Sequence, residues 1–212
     1  MENRRFGLGD RLIGEIDNII KILSVPARSR RPLPESVPGG PLSEVARATS
    51  ARLMRVNHSG EVAAQALYQG QALTAREDQV RAAMRESAAE EIDHLAWCEQ
   101  RLKELNGRTS ILNPLWYAGS LAIGAAVGAL GRAASLGFTV ETENQVESHL
   151  SDHLQRLSLE DTRSRAIVEQ MRQEEMQHGS KAASLGGKAL PFTVAAAMRA
   201  TSRLMTHGSF WV

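Results

Sequence analysis

Two short motifs in this chain pair a glutamate with a histidine three residues later. Glu91 and His94 form the first motif, and Glu175 and His178 form the second. On an α-helix, residues three apart lie on one face with their Cβ atoms about 5–6 Å apart. Each motif can therefore offer a carboxylate and an imidazole to one metal ion, and the pair of motifs predicts two half-sites.

The surroundings of the two motifs also match. A second glutamate directly precedes each motif, and a further glutamate lies one predicted helix upstream of each. One Glu from each of two helices, with Glu-x-x-His from each of two others, is the ligand pattern of di-iron and di-manganese helical bundles. Carboxylates and imidazoles suit iron or manganese, whereas structural zinc favours thiolates. The predicted metal ligands are Glu61, Glu91, His94, Glu143, Glu175 and His178.

Other polar residues lie near these positions in the sequence. Tyr68 and His149 are candidates for positions behind the ligands, but we expect Tyr68 to pack in the helical core and His149 to be a hydrogen-bonded interior histidine. Glu147 follows Glu143 by one helical turn and is an alternative ligand. We expect His153 and His207 to lie on the surface.

The elements that must position these residues are helices. Segments rich in Ala, Glu, Arg and Leu with a 3.6-residue hydrophobic period dominate the chain, and strand patterns are nearly absent. The sequence therefore predicts an all-α protein. Its helices are expected at about 42–74, 77–105, 114–136, 139–157, 161–184 and 191–206.

The N-terminal part of the chain differs from the rest. Residues 10–23 show apolar positions at helical spacing and predict a short amphipathic helix, which either docks on the bundle or contacts a membrane or partner. Five of the seven prolines follow within residues 26–41, which predicts an extended, solvated linker. We therefore expect an arm over residues 1–41 and a helical domain over residues 42–212.

One stretch carries no charge at all, from Thr109 to Gly131. Three interpretations remain open: a fully buried core helix, a packed helix that also touches a membrane interface, and a membrane-spanning helix. The many Gly and Ala residues and the mean hydropathy of −0.26 argue against a span.

Composition excludes several other classes. The 212 residues include 25 Lys+Arg and 24 Asp+Glu, and only 4% are aromatic, so neither a basic field nor a stacking surface predicts nucleic-acid binding. The single cysteine excludes an internal disulfide and fits a reducing compartment. The first residues lack the apolar core of a secretion signal, and we expect neither a signal nor a transit peptide.

These residues together resemble a known family. The run over residues 55–61, the motif at 91–94, Glu143 followed by His149, and the run at 174–178 resemble the demethoxyubiquinone hydroxylases across about residues 45–212. The resemblance implies a ferritin-like four-helix bundle with two additional helices and a short N-terminal helical arm. Leu150 stands where some members of that family carry a tyrosine, so a tyrosine role in electron transfer is not implied.

The activity implied by the resemblance is a late step of ubiquinone biosynthesis. Two carboxylate-bridged iron ions, with Glu143 and either Glu61 or Glu175 bridging, would use O₂ and two electrons to hydroxylate a demethoxyubiquinone or quinol ring. One oxygen atom enters the ring and the other leaves as water. The electron donor would be NADH or a reductase.

The isoprenoid quinone implied as substrate requires an apolar entry close to a membrane. The resemblance therefore implies a peripheral protein on the cytoplasmic face of the cell membrane, with other ubiquinone-biosynthesis proteins as further partners. The candidate substrate wall is Leu115, Leu121, Ile123 and Val127. The alternatives that keep the site and change the activity are a manganese catalase, another oxidase, and a ferroxidase or iron-storage protein.

Overall fold

The computed structural model describes residue 22 and residues 25–212. The helix predicted over residues 10–23 lies, apart from residue 22, outside the described residues. Within them the chain forms helices and connecting segments without a strand, which confirms the all-α prediction. The helices are α1 (Glu44–Thr74), α2 (Asp78–Glu104), α3 (Asn113–Ala129), α4 (Arg132–Arg156), α5 (Thr162–Ser184) and α6 (Phe192–Trp211).

Helices α1, α2, α4 and α5 form the four-helix bundle. Short connections join α1 to α2 and α4 to α5, so each pair packs side by side, and further contacts join the two pairs. Helix α3 crosses between the pairs and packs along α1, and α6 also packs on α1. This arrangement places four long helices around one interior.

Two apolar clusters fill that interior. One cluster contains Leu53, Trp97, Leu150 and Ile167, and the other contains Tyr68, Met84 and Leu136. On each bundle helix the predicted metal ligands fall, in sequence, between residues of the first cluster and residues of the second. The polar site therefore lies between two apolar layers.

The largest difference from the predicted helix boundaries lies between α3 and α4. The sequence predicts one helix through residue 136, but α3 ends at Ala129 and α4 begins at Arg132. Gly131 has φ +99°, which glycine adopts without a steric penalty, and it turns the chain between the two helices. Helix α6 continues to Trp211, five residues beyond the predicted end.

Helix α3 presents two different faces. Gly124 and Gly128 are buried against α1, and a Cβ atom at Gly124 would lie 2.2 Å from the backbone oxygen of Leu67. Leu115 and Ile123 on α3 are exposed. Of the three interpretations of this stretch, the fully buried core helix is therefore wrong, because the glycine-lined face is packed and the opposite face is exposed. No helix among the described residues is both long enough and apolar enough to traverse a bilayer.

The segment that precedes α1 is extended, as its prolines predict, but it lies against the bundle. The backbone N–H of Ala27 donates to Glu99, and the backbone N–H of Arg30 donates to Asp93, both on α2. The Thr162 hydroxyl at the start of α5 donates to the carbonyl of Val37. Part of the predicted linker is thus packed on the helices.

Candidate metal centre

The six predicted ligands come together in the middle of the bundle. Glu61 comes from α1, Glu91 and His94 from α2, Glu143 from α4, and Glu175 and His178 from α5. All six side chains are buried. Such a concentration of buried carboxylates is costly unless cations or hydrogen bonds compensate their charge.

Two of the carboxylates are shared between the two imidazoles. His94 Nδ1 lies 2.8 Å from Glu91 Oε2 and 3.3 Å from Glu175 Oε1. His178 Nδ1 lies 3.2 Å from Glu91 Oε1 and 3.2 Å from Glu175 Oε2. Each of these two glutamates therefore directs one oxygen toward each histidine, which is the geometry of a bridging carboxylate.

The remaining two glutamates lie on opposite sides of this shared pair. Glu61 Oε2 is 3.7 Å from His94 Nδ1. Glu143 forms a group with Glu175 and His178 in which the potential ligand atoms all lie within 4.8 Å of one another. The site therefore divides into two overlapping positions, each with one histidine and one glutamate of its own.

The residues fit a pair of metal ions. Both oxygens of Glu91, one oxygen of Glu143 and Nδ1 of His94 are buried without a hydrogen bond of good geometry. Buried polar atoms of this kind are rare unless they serve a function such as coordination. Four carboxylates and two imidazole nitrogens are also the donor set that iron and manganese prefer.

Burial and charge shift the ionisation of the ligands in opposite directions. Burial raises the pKa of Glu61 and of Glu143 well above the usual range. Burial opposes ionisation of Glu91 too, but the neighbouring His94 and His178 outweigh it and hold the pKa of Glu91 below its usual range. Burial lowers the pKa of His178, whereas the adjacent carboxylates raise it, to about 12. Protons thus occupy the imidazoles until a cation displaces them.

The outer nitrogens of the two histidines bond in a reciprocal pattern. His94 Nε2 lies 2.7 Å from Oε2 of Glu174, which precedes the second motif. His178 Nε2 lies 2.7 Å from Oε2 of Glu90, which precedes the first motif. Each contact turns Nδ1 toward the centre and fixes the ring. The doubled glutamates were visible in the sequence, but their crossed partners depend on how α2 and α5 pack.

The other polar candidates are distributed differently. The hydroxyl of Tyr68 is buried without a hydrogen bond in the second apolar cluster. The ring of His149 lies 3.9 Å from that of His153, and Glu147 binds Arg172 at 3.1 Å. His153 is buried, so its predicted surface position is wrong. Residues of α6 lie across the groove that His153 lines and shield its side chain from solvent.

The four residues of the candidate substrate wall do not share one environment. Leu121 is partly buried and packs against a cluster that includes Ala66 and Tyr117. Leu115 and Ile123 are exposed on the outer face of α3, and Val127 is half-buried. Of the four residues, only Leu121 packs against a buried apolar cluster.

Solved structures place this fold in a known class. A bacterioferritin-related dodecameric thioferritin from Bacteroides fragilis matches with a TM-score of 0.56 and 18% identity, covering 73% of this chain and 90% of the other. At that identity the likeness concerns the fold, and the protein is a ferritin-like helical bundle. The predicted fold class is thus confirmed.

Sequence comparison then identifies the family. The family described as ubiquinone biosynthesis protein COQ7 matches residues 48–209, and this chain belongs to it. A 3-demethoxyubiquinol 3-hydroxylase of Nitrosomonas europaea is 54% identical over 204 residues, covering 96% of this chain and 98% of the relative. That of Bordetella pertussis is 52% identical over 211 residues, covering 99% and 95%. The predicted resemblance is confirmed.

Proposed function

We propose that this protein is a di-iron monooxygenase that hydroxylates the ring of a demethoxyubiquinol. The observation that carries the proposal is the sharing of Glu91 and Glu175 between two buried imidazoles, in a chain of the COQ7 family. The reaction consumes O₂, two electrons and two protons. One oxygen atom becomes the ring hydroxyl and the other becomes water.

Each residue of the cluster has a distinct part in holding the metal ions. His94 and Glu61 would hold one ion, and His178 and Glu143 the other. Glu91 and Glu175 would be shared between them. The family resemblance implied Glu143 with either Glu61 or Glu175, so Glu175 agrees with one alternative and Glu91 takes the place of Glu143. Two iron ions held by these residues would supply the chemistry that reduces O₂.

The protein also controls the protons and water around this centre. Because the two apolar clusters lie on either side, bulk water is kept from the carboxylates. Burial raises the pKa of Glu61 and of Glu143 and so favours their protonated forms in the absence of a cation, and metal loading then releases protons. Metal affinity accordingly rises with pH.

The product of an isotope-labelled reaction tests the activity. The full-length protein is loaded with Fe²⁺, reduced, and incubated with a short-tailed demethoxyubiquinol under ¹⁸O₂. We expect one ¹⁸O atom in the ring by mass spectrometry, and none with the Glu143→Ala variant. Glu147→Ala is the matched control, because Glu147 lies one turn along α4 and binds Arg172 instead. Oxygen consumption without labelled product would indicate an oxidase or ferroxidase.

We also propose that the outer face of α3 rests on a membrane surface, where an isoprenoid quinol resides. The charge-free stretch from Thr109 to Gly131 exposes Leu115 and Ile123. Helix α6 adds exposed Phe192. An exposed apolar area of this kind marks an interaction surface, and a lipid-soluble substrate favours the bilayer as its occupant.

Vesicle binding tests this surface. We expect Leu115→Glu and Ile123→Glu to weaken co-sedimentation with anionic phospholipid vesicles by about tenfold, because a charge must then enter the interface. Leu159→Glu is the control, since Leu159 is 76% exposed, more than Leu115 at 60%, but lies between α4 and α5. Equal binding by all three variants would exclude α3 as the contact.

A further inference from the structure

Arg31, in the extended segment before α1, reaches the carboxylate behind His94. Its Nη1 lies 2.6 Å from Glu174 Oε1 and its Nη2 lies 2.9 Å from Glu174 Oε2. This two-pronged contact is the strongest arrangement that an arginine makes with a carboxylate. Oε2 of the same glutamate lies 2.7 Å from His94 Nε2.

Further contacts fix Glu174 and Arg31 in place. Gln170 donates to Glu174 Oε1 at 2.6 Å, so both oxygens of this carboxylate have several donors. The guanidinium of Arg31 lies 4.7 Å from the centre of the Trp97 ring, and that ring lies 5.4 Å from the ring of His94. His94 is thus held by a hydrogen bond on one side and by an aromatic ring on another.

The backbone around Arg31 is anchored to α2 by Asp93. Oδ2 of Asp93 accepts from Arg31 Nε at 2.6 Å. Oδ1 accepts from the Ser29 hydroxyl at 2.8 Å and from the Arg30 backbone N–H at 2.7 Å. Asp93 is buried and neighbours His94, so the segment is attached beside the metal centre itself.

The equivalent position behind His178 has no such support. The Glu90 side chain is 43% exposed, against 14% for Glu174. Within the described part of the chain, no arginine or lysine forms an ion pair with Glu90. The two halves of the centre therefore share their ligand types but differ in what holds the histidine.

We propose that Arg31 is a positioning residue that acts through Glu174 to fix His94, so that the metal position of His94 and Glu61 binds its ion more tightly than the other. The inference rests on the di-metal centre proposed above. A carboxylate that accepts a hydrogen bond from a ligating histidine orients the ring and raises its basicity, and losing such a partner typically costs 10–100-fold in metal affinity. Arg31 fixes that carboxylate.

An anaerobic titration of the full-length protein with Co²⁺ tests this role. The visible absorption of bound Co²⁺ reports two dissociation constants. We expect Arg31→Ala to weaken the tighter one by about 10–100-fold and to change the weaker one by less than about threefold. Arg31→Lys keeps the charge without the paired donors and should fall between wild type and Arg31→Ala.

Arg163 offers a matched control. It binds Glu104 through two donors at 2.7 and 2.9 Å, and it is 41% exposed, against 42% for Arg31. The Arg163→Ala variant should lose a similar amount of thermal stability yet keep both dissociation constants. This comparison separates loss of an ion pair from loss of a positioned histidine.

Variants of the two carboxylates complete the test and do not depend on Arg31→Ala folding. Glu174→Gln should weaken the tighter Co²⁺ site, and Glu90→Gln the weaker one. Adding Arg31→Ala to Glu174→Gln should produce little further loss, since Arg31 acts through that carboxylate.

Wild-type protein that does not bind two Co²⁺ ions would refute the di-metal centre. Two bound ions with equal losses at both positions in Arg31→Ala would refute only the role of Arg31.

Discussion

The two halves of the proposed metal centre have the same types of candidate ligand but different residues holding their histidines. His94 is completely buried, and Glu174 behind it accepts two hydrogen bonds from Arg31. His178 is slightly more exposed, and the carboxylate behind it reaches solvent. A repeated motif therefore specifies the chemistry of both positions, while residues outside the repeat make the positions unequal. Such inequality allows two ions in one centre to differ in affinity.

Removal of a shared carboxylate should prevent metal binding in both halves, so that no difference between them remains. Glu91 directs one oxygen to each histidine, so Glu91→Ala should reduce bound iron from two ions per chain to nearly none and eliminate hydroxylation. Elemental analysis of purified protein and product mass spectrometry measure the two effects. Retained turnover would contradict the bridging assignment.

Removing one histidine should affect one half. His178→Ala leaves His94, Glu61 and the shared carboxylates in place, so we expect about one tightly bound metal ion per chain. His94→Ala removes the better supported position and should leave only the weaker ion. Co²⁺ titrations of the two variants compare these constants directly, and identical residual affinities would show that the halves are equivalent.

A change in the packing of α3 against α1 should affect stability without distinguishing the halves. Gly124→Ala places a Cβ atom 2.2 Å from the backbone of Leu67 and should destabilise the fold by about 1–3 kcal/mol. Gly119 lies on the same helix with no atom within 4 Å of its Cβ position, so Gly119→Ala is the control. Thermal unfolding should separate the two, and equal melting temperatures would count against the close helix contact.

A further difference between the halves is a pH dependence of stability that originates on α4. Burial lowers the pKa of His153 to about 2, so below about pH 6.5 the unfolded chain binds a proton that the folded chain does not. This histidine should therefore cost about 1.4 kcal/mol of stability for each pH unit of acidification toward pH 4. His153→Gln should reduce the pH dependence in urea unfolding, and the neighbouring His149, whose pKa burial lowers to about 4, should account for part of what remains. Parallel slopes for variant and wild type would refute the assignment.

The residues that come together in the candidate centre were predictable because their signal is local. Glu91 and His94 share a helix face through their spacing, and the repeated pattern indicated that the two motifs belong together. Which carboxylates bridge was not predictable, because the direction of the Glu175 side chain depends on packing between helices. The break between α3 and α4 at Gly131 was not predicted, because an Ala-rich stretch continues the helical pattern on both sides of this glycine.

Nothing in the nearby sequence indicated that Arg31 binds the carboxylate behind His94. Arg31 lies among prolines, where the sequence is typical of a solvated linker, and nothing near it indicates a partner 143 residues away. The burial of His153 was missed for a related reason, since it depends on α6, which lies far along the chain. Contacts between distant segments are set by tertiary packing, which periodicity cannot report.

The separation between Arg31 and Glu174 has a consequence for the order of assembly. The contact joins residues 143 positions apart, so it closes only after α1 through α5 have been synthesised and packed. A nascent chain that ends before α5 can fold its first helix pair but lacks the carboxylate behind His94. The contact that supports His94 is therefore completed only once α5 has packed against the earlier helices.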